Sequence, residues 1–236
     1  MRNGILKATV GAASLAMAAS GFLVAPVMAA TIASSNFTGS DQGWSVGEFS
    51  SVQPTVAATY DSAGRITTTD VSANVAFIAP SAYLGNQSAA FGGSISFDLF
   101  DTANDGLAYS PLTLIGNGLT LYYTLTAPPS TTSLTPFNLS LFGANFTTNN
   151  GFSPGGAVAT DAQLQSVLAS LDQFAILADW KSGEDLTTLD NVVFSDGRAV
   201  GGAVPEPTTW AMMLFGFGLV GAITRRRTTT RAAALA

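Results

Sequence analysis

Three stretches of this chain place an apolar side chain at every second position. In Ser94–Leu99 the apolar set is Ile95, Phe97 and Leu99, set against Ser94, Ser96 and Asp98. In Leu119–Leu125, Leu119, Leu121, Tyr123 and Leu125 alternate with Thr120, Tyr122 and Thr124. Phe137, Leu139 and Leu141 alternate with Asn138 and Ser140. A period of two fits an extended strand with one buried face. Arg65–Thr69, Asn74–Ile78, Phe174–Leu177 and Asn191–Phe194 read as further strands. Turn formers separate them: Asp105-Gly106, Ala127-Pro128-Pro129-Ser130 and Asn149-Asn150-Gly151. Many short strands so punctuated predict an all-β sandwich. One segment breaks the period. Thr160-Asp161-Ala162-Gln163 fits a capping box, and Leu164, Val167, Leu168 and Leu171 follow at helical spacing. This predicts one short helix ending near Leu171, laid across an end of the sandwich.

The two ends of the chain carry other signals and are excluded from the sandwich. Residues 1–30 open with Arg2 and Lys7, continue through an alanine-rich apolar run and end on Met28-Ala29-Ala30. That order predicts a secretory signal peptide. At the far end, Pro205-Glu206-Pro207 precedes an uncharged run from Trp210 to Ile223, then Arg225, Arg226 and Arg227. As a helix that run would extend roughly 20 Å, and the threonines beside it bring it to a marginal membrane span. The arginines would stop transfer on the cytoplasmic side. The expected plan is therefore a signal peptide at 1–30, a sandwich at 31–200 and a linker with the Pro-Glu-Pro at 201–207. A transmembrane sorting helix with its arginines at 208–227 and a cytoplasmic tail at 228–236 complete it. Gly216, Gly218 and Gly221 match a dinucleotide-loop pattern, but no strand precedes them and the chain ends too soon for the acidic partner.

The C-terminal order resembles the PEP-CTERM sorting signal in its Pro-Glu-Pro-x-x-Trp-Ala form. Pro205, Glu206, Pro207, Trp210, Ala211 and the three arginines carry the likeness. The resemblance implies recognition by the membrane protease exosortase. It also implies a precursor held in the inner membrane before processing, and delivery to the cell envelope or beyond.

Composition narrows the chemistry. Residues 31–204 hold fourteen acids against three bases, Arg65, Lys181 and Arg198. With no basic patch, nucleic acid is excluded as a partner. The chain has neither cysteine nor histidine. Cysteine nucleophiles, histidine-based triads and zinc sites are thereby excluded, and only carboxylate chemistry such as glycoside cleavage remains.

The order of pieces within the sandwich resembles the laminin B, or laminin IV type A, domain. Asn36-Phe37 and Gly43-Trp44 stand near its start, and Val75-Ala76-Phe77-Ile78-Ala79-Pro80 follows. Then come Tyr83-Leu84-Gly85-Asn86, Phe91-Gly92-Gly93-Ser94 and, at the end, Leu189-Asp190-Asn191-Val192. The resemblance implies a jelly-roll sandwich like the galactose-binding modules, with no catalytic residues. Gly92-Gly93 is expected to permit a positive φ or a close backbone approach on entering a strand. Trp44 and Phe97 are expected in the core.

The leading expectation is a non-enzymatic adhesive or matrix-associated module that contacts polysaccharide. A carboxylate-dependent glycoside hydrolase or lyase and a ligand-free surface spacer are the alternatives. No cofactor is required. Structural calcium is considered at Asp190, which is otherwise a strand-end turn former, and in the oxygen-rich loop Asp101–Gly106, which lacks EF-hand spacing. Tyr83, Tyr109, Tyr122 and Trp180 are the aromatic candidates to stack on sugar; alternation sets Tyr122 opposite Leu121 and Tyr123, so Tyr122 is the one of them expected to face solvent.

Overall fold

The computed structural model describes residues 29–49, 53–71, 74–148, 156–197 and 213–217. In chain order the strands are β1 (Thr31–Ser35), β2 (Ser45–Glu48), β3 (Gln53–Ala57), β4 (Thr59–Asp61), β5 (Arg65–Thr69), β6 (Val75–Ile78) and β7 (Ser94–Asp101). Then follow β8 (Leu112–Gly116), β9 (Leu119–Tyr123), β10 (Thr135–Ser140), β11 (Phe146–Thr148), β12 (Leu171–Leu177) and β13 (Leu186–Ser195). Among the described residues of the sandwich one α-helix, α1 (Asp161–Ala169), lies between β11 and β12. One sheet runs β10-β7-β13-β5-β4, with β1 also paired to β13; the other runs β11-β9-β8-β12-β6-β2-β3. Every strand pairing is antiparallel. This is the all-β sandwich with one short helix.

β7 shows why the alternation was readable. Its residues are buried at every second position, so Ile95, Phe97 and Leu99 enter the core together. The same phase carries Asp101 inward, where it is 0% exposed. In β6 all four residues are buried, and so are Phe174 to Leu177 in β12. Successive side chains point to opposite faces, so these strands are covered on both sides and no alternation could announce them. Trp44, Tyr83, Phe174 and Phe194 form an aromatic seam between the sheets, with Trp44 edge-on to Tyr83 at 5.3 Å. Phe97, like Trp44, is buried.

α1 forms where the capping box placed it. Thr160 Oγ1 accepts from the Gln163 amide at 3.2 Å, and Gln163 Oε1 accepts from the Thr160 amide at 2.8 Å. Leu164, Val167 and Leu168 are its buried face. It packs on β8, where Gly116 is required because a Cβ there would collide with the carbonyls of Ser170 and Val167. Leu171 is not the helix's last residue but the first of β12. Gly92 has φ +79°, and a Cβ on Gly93 would run into the Ser195 carbonyl. Both expectations for this glycine pair hold.

Two expectations are corrected. The alternation of Leu119–Leu125 ends at Tyr123, and Tyr122 does not face solvent. It is 7% exposed and its ring lies 6.0 Å from that of Phe49. Leu121 beside it is also buried, so β9 is covered on both faces at this point. The transmembrane sorting helix over 208–227 is corrected as well, and with it the inner-membrane-anchored precursor. Among the described residues no helix is long and apolar enough to cross a membrane. Residues 213–217 are helical, a rise of about 7 Å against a hydrocarbon core of about 30 Å. The other residues of that segment, the signal peptide at 1–30, the linker at 201–207 and the tail at 228–236 lie outside the described residues, save Ala29 and Ala30.

Candidate functional site

β5, β7 and β12 all end at one end of the sandwich, and β6, β8 and β13 begin there. The connections between them supply a cleft of about 380 Å³ lined by Asp70, Asn74, Tyr109, Asp179, Lys181, Ser182 and Gly183. Asn74 is oriented by Glu48, whose Oε1 accepts from its Nδ2 at 2.8 Å. The Tyr109 hydroxyl donates to Asp105 Oδ2 in a short hydrogen bond. That bond, then burial, pushes the phenol up to about 12. Tyr109 is fixed at its backbone by paired hydrogen bonds with Thr126, at 3.1 and 2.8 Å. Its ring stands edge-on to the buried Trp180, 6.0 Å away.

Beneath the cleft lies a group of acids. Asp101 Oδ1 accepts from the Ala103 amide at 2.9 Å, and Oδ2 from the Thr187 hydroxyl at 2.8 Å. Burial still raises its pKa. Asp185 is 7% exposed. Its hydrogen-bonding neighbours are the Trp180 amide and the Asp101 carboxyl. Burial first, then the negative charges of Asp101 and Asp179, push Asp185 up to about 7. Asp179 is raised to about 6, chiefly by burial and then by neighbouring acids. Among the described residues Arg65 is engaged with Asp61 at 2.7 Å, and Lys181 is the base whose charge acts on Asp101.

The sequence-predicted site residues are not brought together. Tyr122 is buried. Asp190 stands on β13 beside a bulge, with Asn191 at φ 51°. Its Oδ1 accepts from the Asn191 amide at 2.7 Å, while Asn191 Nδ2 donates to Asp98 at 2.8 Å. The turn-forming role of Asp190 is what the geometry displays, and among the described residues no three acids are placed to hold a metal ion. The loop from Asp101 to Gly106 uses its side chains for local turns: Asn104 caps the Gly106 amide and Asp105 the Leu107 amide. The sorting residues Pro205, Glu206, Pro207, Trp210, Ala211, Arg225, Arg226 and Arg227 lie outside the described residues. Sequence reasoning missed Asp179 and Asp185. Their only signal is two acids close in sequence on either side of a Trp-Lys-Ser-Gly turn.

The laminin B (domain IV) family model matches residues 76–210, more than half of the chain. The chain belongs to the laminin B family. The PEP-CTERM protein-sorting motif matches residues 203–227, so the chain also carries the exosortase sorting signal for export. Among solved structures, the L4b domain of human laminin α-2 aligns with a TM-score of 0.59 at 10% identity, over 70% of this chain and 96% of that one. The likeness shows a shared fold. A family 11 carbohydrate-binding module from Clostridium thermocellum aligns at 16% identity over 72% of this chain and 96% of that one, with a TM-score of only 0.39. A search of curated proteins finds no match. The domain is thus a laminin B module, in a chain without cysteine or histidine.

Proposed function

We propose that this module is an adhesive or matrix-associated domain which, after export through exosortase, binds polysaccharide in the cleft at the β5–β6, β7–β8 and β12–β13 end. The observation that carries the reading is the mixture of groups on its walls. Asp70, Asn74, Asp179, Lys181 and Ser182 offer acceptors and donors, and Tyr109 offers a ring held in place from beneath by Trp180. Sugar hydroxyls need paired donors and acceptors, and the apolar face of a pyranose needs a flat ring. The surplus of acid favours neutral glycans over anionic ones, because like charges repel. Tyr109 replaces the buried Tyr122 as the stacking residue. The test is a glycan array on the full chain, followed by Tyr109→Ala and Asn74→Ala. Retention of a neutral polysaccharide should drop about tenfold in each variant while thermal stability changes little. Absence of any glycan signal from the native chain would leave the spacer reading in place.

A further inference from the structure

We infer that Asp101 and Asp185 share one proton and so latch together the two connections that carry the walls of the cleft. The latch stands whatever fills the cleft, and its test reads the backbone rather than sugar binding. Residues 102–111 join β7 to β8 and carry Tyr109; residues 178–185 join β12 to β13 and carry Asp179, Lys181, Ser182 and Gly183. Three backbone amides already tie these segments. The Asp105 amide donates to the Trp180 carbonyl at 3.1 Å and the Thr102 amide to the Leu186 carbonyl at 3.0 Å. The Leu186 amide donates to the Thr102 hydroxyl at 2.9 Å. The carboxyls add a fourth tie. Asp101 ends β7 and Asp185 closes the second connection; both are buried, and Asp185 is a hydrogen-bonding neighbour of Asp101.

Counting protons decides the form of that tie. Two ionised carboxylates in contact repel, and burial strengthens the repulsion. One proton between them makes a charge-assisted hydrogen bond instead. The donors around the pair are too few to hold both charges. Ala103 gives Asp101 its amide at 2.9 Å, and Trp180 gives Asp185 its amide. The Thr187 hydroxyl has a single proton, which lies between Asp101 Oδ2 at 2.8 Å and the Ala178 carbonyl at 2.7 Å. The surrounding charges favour the proton further. Asp179 and Asp70 act with Asp101 to raise Asp185, and Glu48 acts on Asp179. Lys181 opposes them through Asp101. Burial, then these acids, push Asp185 up to about 7. When the connections part, both carboxyls reach water and the shared proton passes to solvent. From the ordinary carboxylate value of about 3.9 up to about 7, the closed pair keeps a proton that the open pair releases. Rising pH therefore favours opening across that range, and the effect levels off above it.

The experiment is amide hydrogen exchange on the full chain, corrected for the intrinsic pH dependence of exchange and read at Asp105 and Leu186. Protection at these amides should fall about fivefold between pH 6 and pH 7. Asp185→Asn places a fixed N–H where the shared proton sits, so its protection should change by less than about twofold over the same interval. Carboxyl-carbon NMR of the native chain supplies a second readout if that variant fails to fold. A shared proton belongs to the pair, so the Asp101 and Asp185 carbons should shift together with one midpoint. Three results would overturn the inference: constant protection in the native chain, an equal fall in Asp185→Asn, or an Asp101 carbon that stays still while that of Asp185 titrates.

Discussion

Trp44 and Trp180 are both fully buried tryptophans, and their surroundings are opposite. The Trp44 indole N–H donates to Ser35 Oγ at 3.0 Å, and the Tyr83 hydroxyl donates to the same oxygen at 2.9 Å. Around them Phe174 and Phe194 complete a seam in which each polar atom has a partner. The Trp180 indole N–H has no acceptor, and the nearby Asp185 carboxyl is crowded by the carboxyls of Asp101 and Asp179. The first region is arranged for stability, because burial of aromatic area is not offset by stranded polar groups. The second retains an unsatisfied donor and crowded carboxyls beneath an open cleft. Residues that lower stability are tolerated where they bind something, so the contrast separates the part that holds the sandwich together from the part that acts.

The largest test of that contrast is Trp44→Ala. It should cost about 3–5 kcal/mol, as large-to-small changes do in packed cores. Chemical denaturation of the full chain would measure it. A loss below about 1 kcal/mol would mean that the seam is not the anchor.

The next effect has the opposite sign. Asp185 is raised to about 7 and Asp179 to about 6 in the folded state. Below the ordinary carboxylate pKa of about 3.9, folded and unfolded chains are both protonated and the contribution is fully present. Between about pH 4 and 7 the unfolded chain has released protons that the folded chain retains, so stability falls as pH rises. Asp61 acts the other way. The Ala63 amide and then Arg65 hold it below its usual value, so its contribution is lost only as pH falls through the acid range. Removing the buried charge with Asp185→Asn should flatten the decline between pH 4 and 7. It should also raise stability near pH 7.5 by on the order of 2 kcal/mol. An unchanged pH profile would show that Asp185 is not the titrating group.

Ser35→Ala should cost about 1–3 kcal/mol, because Trp44 and Tyr83 lose their common acceptor inside the core. Tyr83, pushed up to about 12 by burial, stays neutral and gains nothing by ionising. A loss as small as that of a surface substitution would indicate that the two donors find other acceptors.

The seam was partly legible in the sequence and the acidic end was not. β7 announced itself because one face is buried and the other is not. α1 announced itself through Thr160 and Gln163, a local rule that needs no tertiary context. Trp44 and the glycines at 92 and 93 were read from a family pattern. Tyr122 was misjudged because alternation assigns faces without saying that either is wet; Phe49, more than seventy positions away, covers it. Asp101 and Asp185 meet only because β7 and β13 pair with Asp101 opposite Thr187. Register between distant strands is set by the whole sheet, so no window of sequence contains that meeting. Asp190 drew notice as an acid on the last strand, whereas its side chain is occupied in a turn.

The smallest effect is also the cleanest comparison. Trp44→Phe and Trp180→Phe remove the same volume from two fully buried sites, so their cavity terms nearly cancel. Trp44→Phe also removes a donor that has a partner and leaves Ser35 with one donor fewer. Trp180→Phe removes a donor that has no acceptor, which recovers part of its desolvation cost. Trp180 keeps the ring of Phe137 at 6.1 Å as well as Tyr109, so a phenyl ring still finds aromatic neighbours there. Trp180→Phe should therefore be near neutral, and Trp44→Phe worse than it by about 1–2 kcal/mol. Equal losses in urea denaturation would mean that both indoles are equally well satisfied in solution, and the contrast between the two regions would then rest on the carboxylates alone.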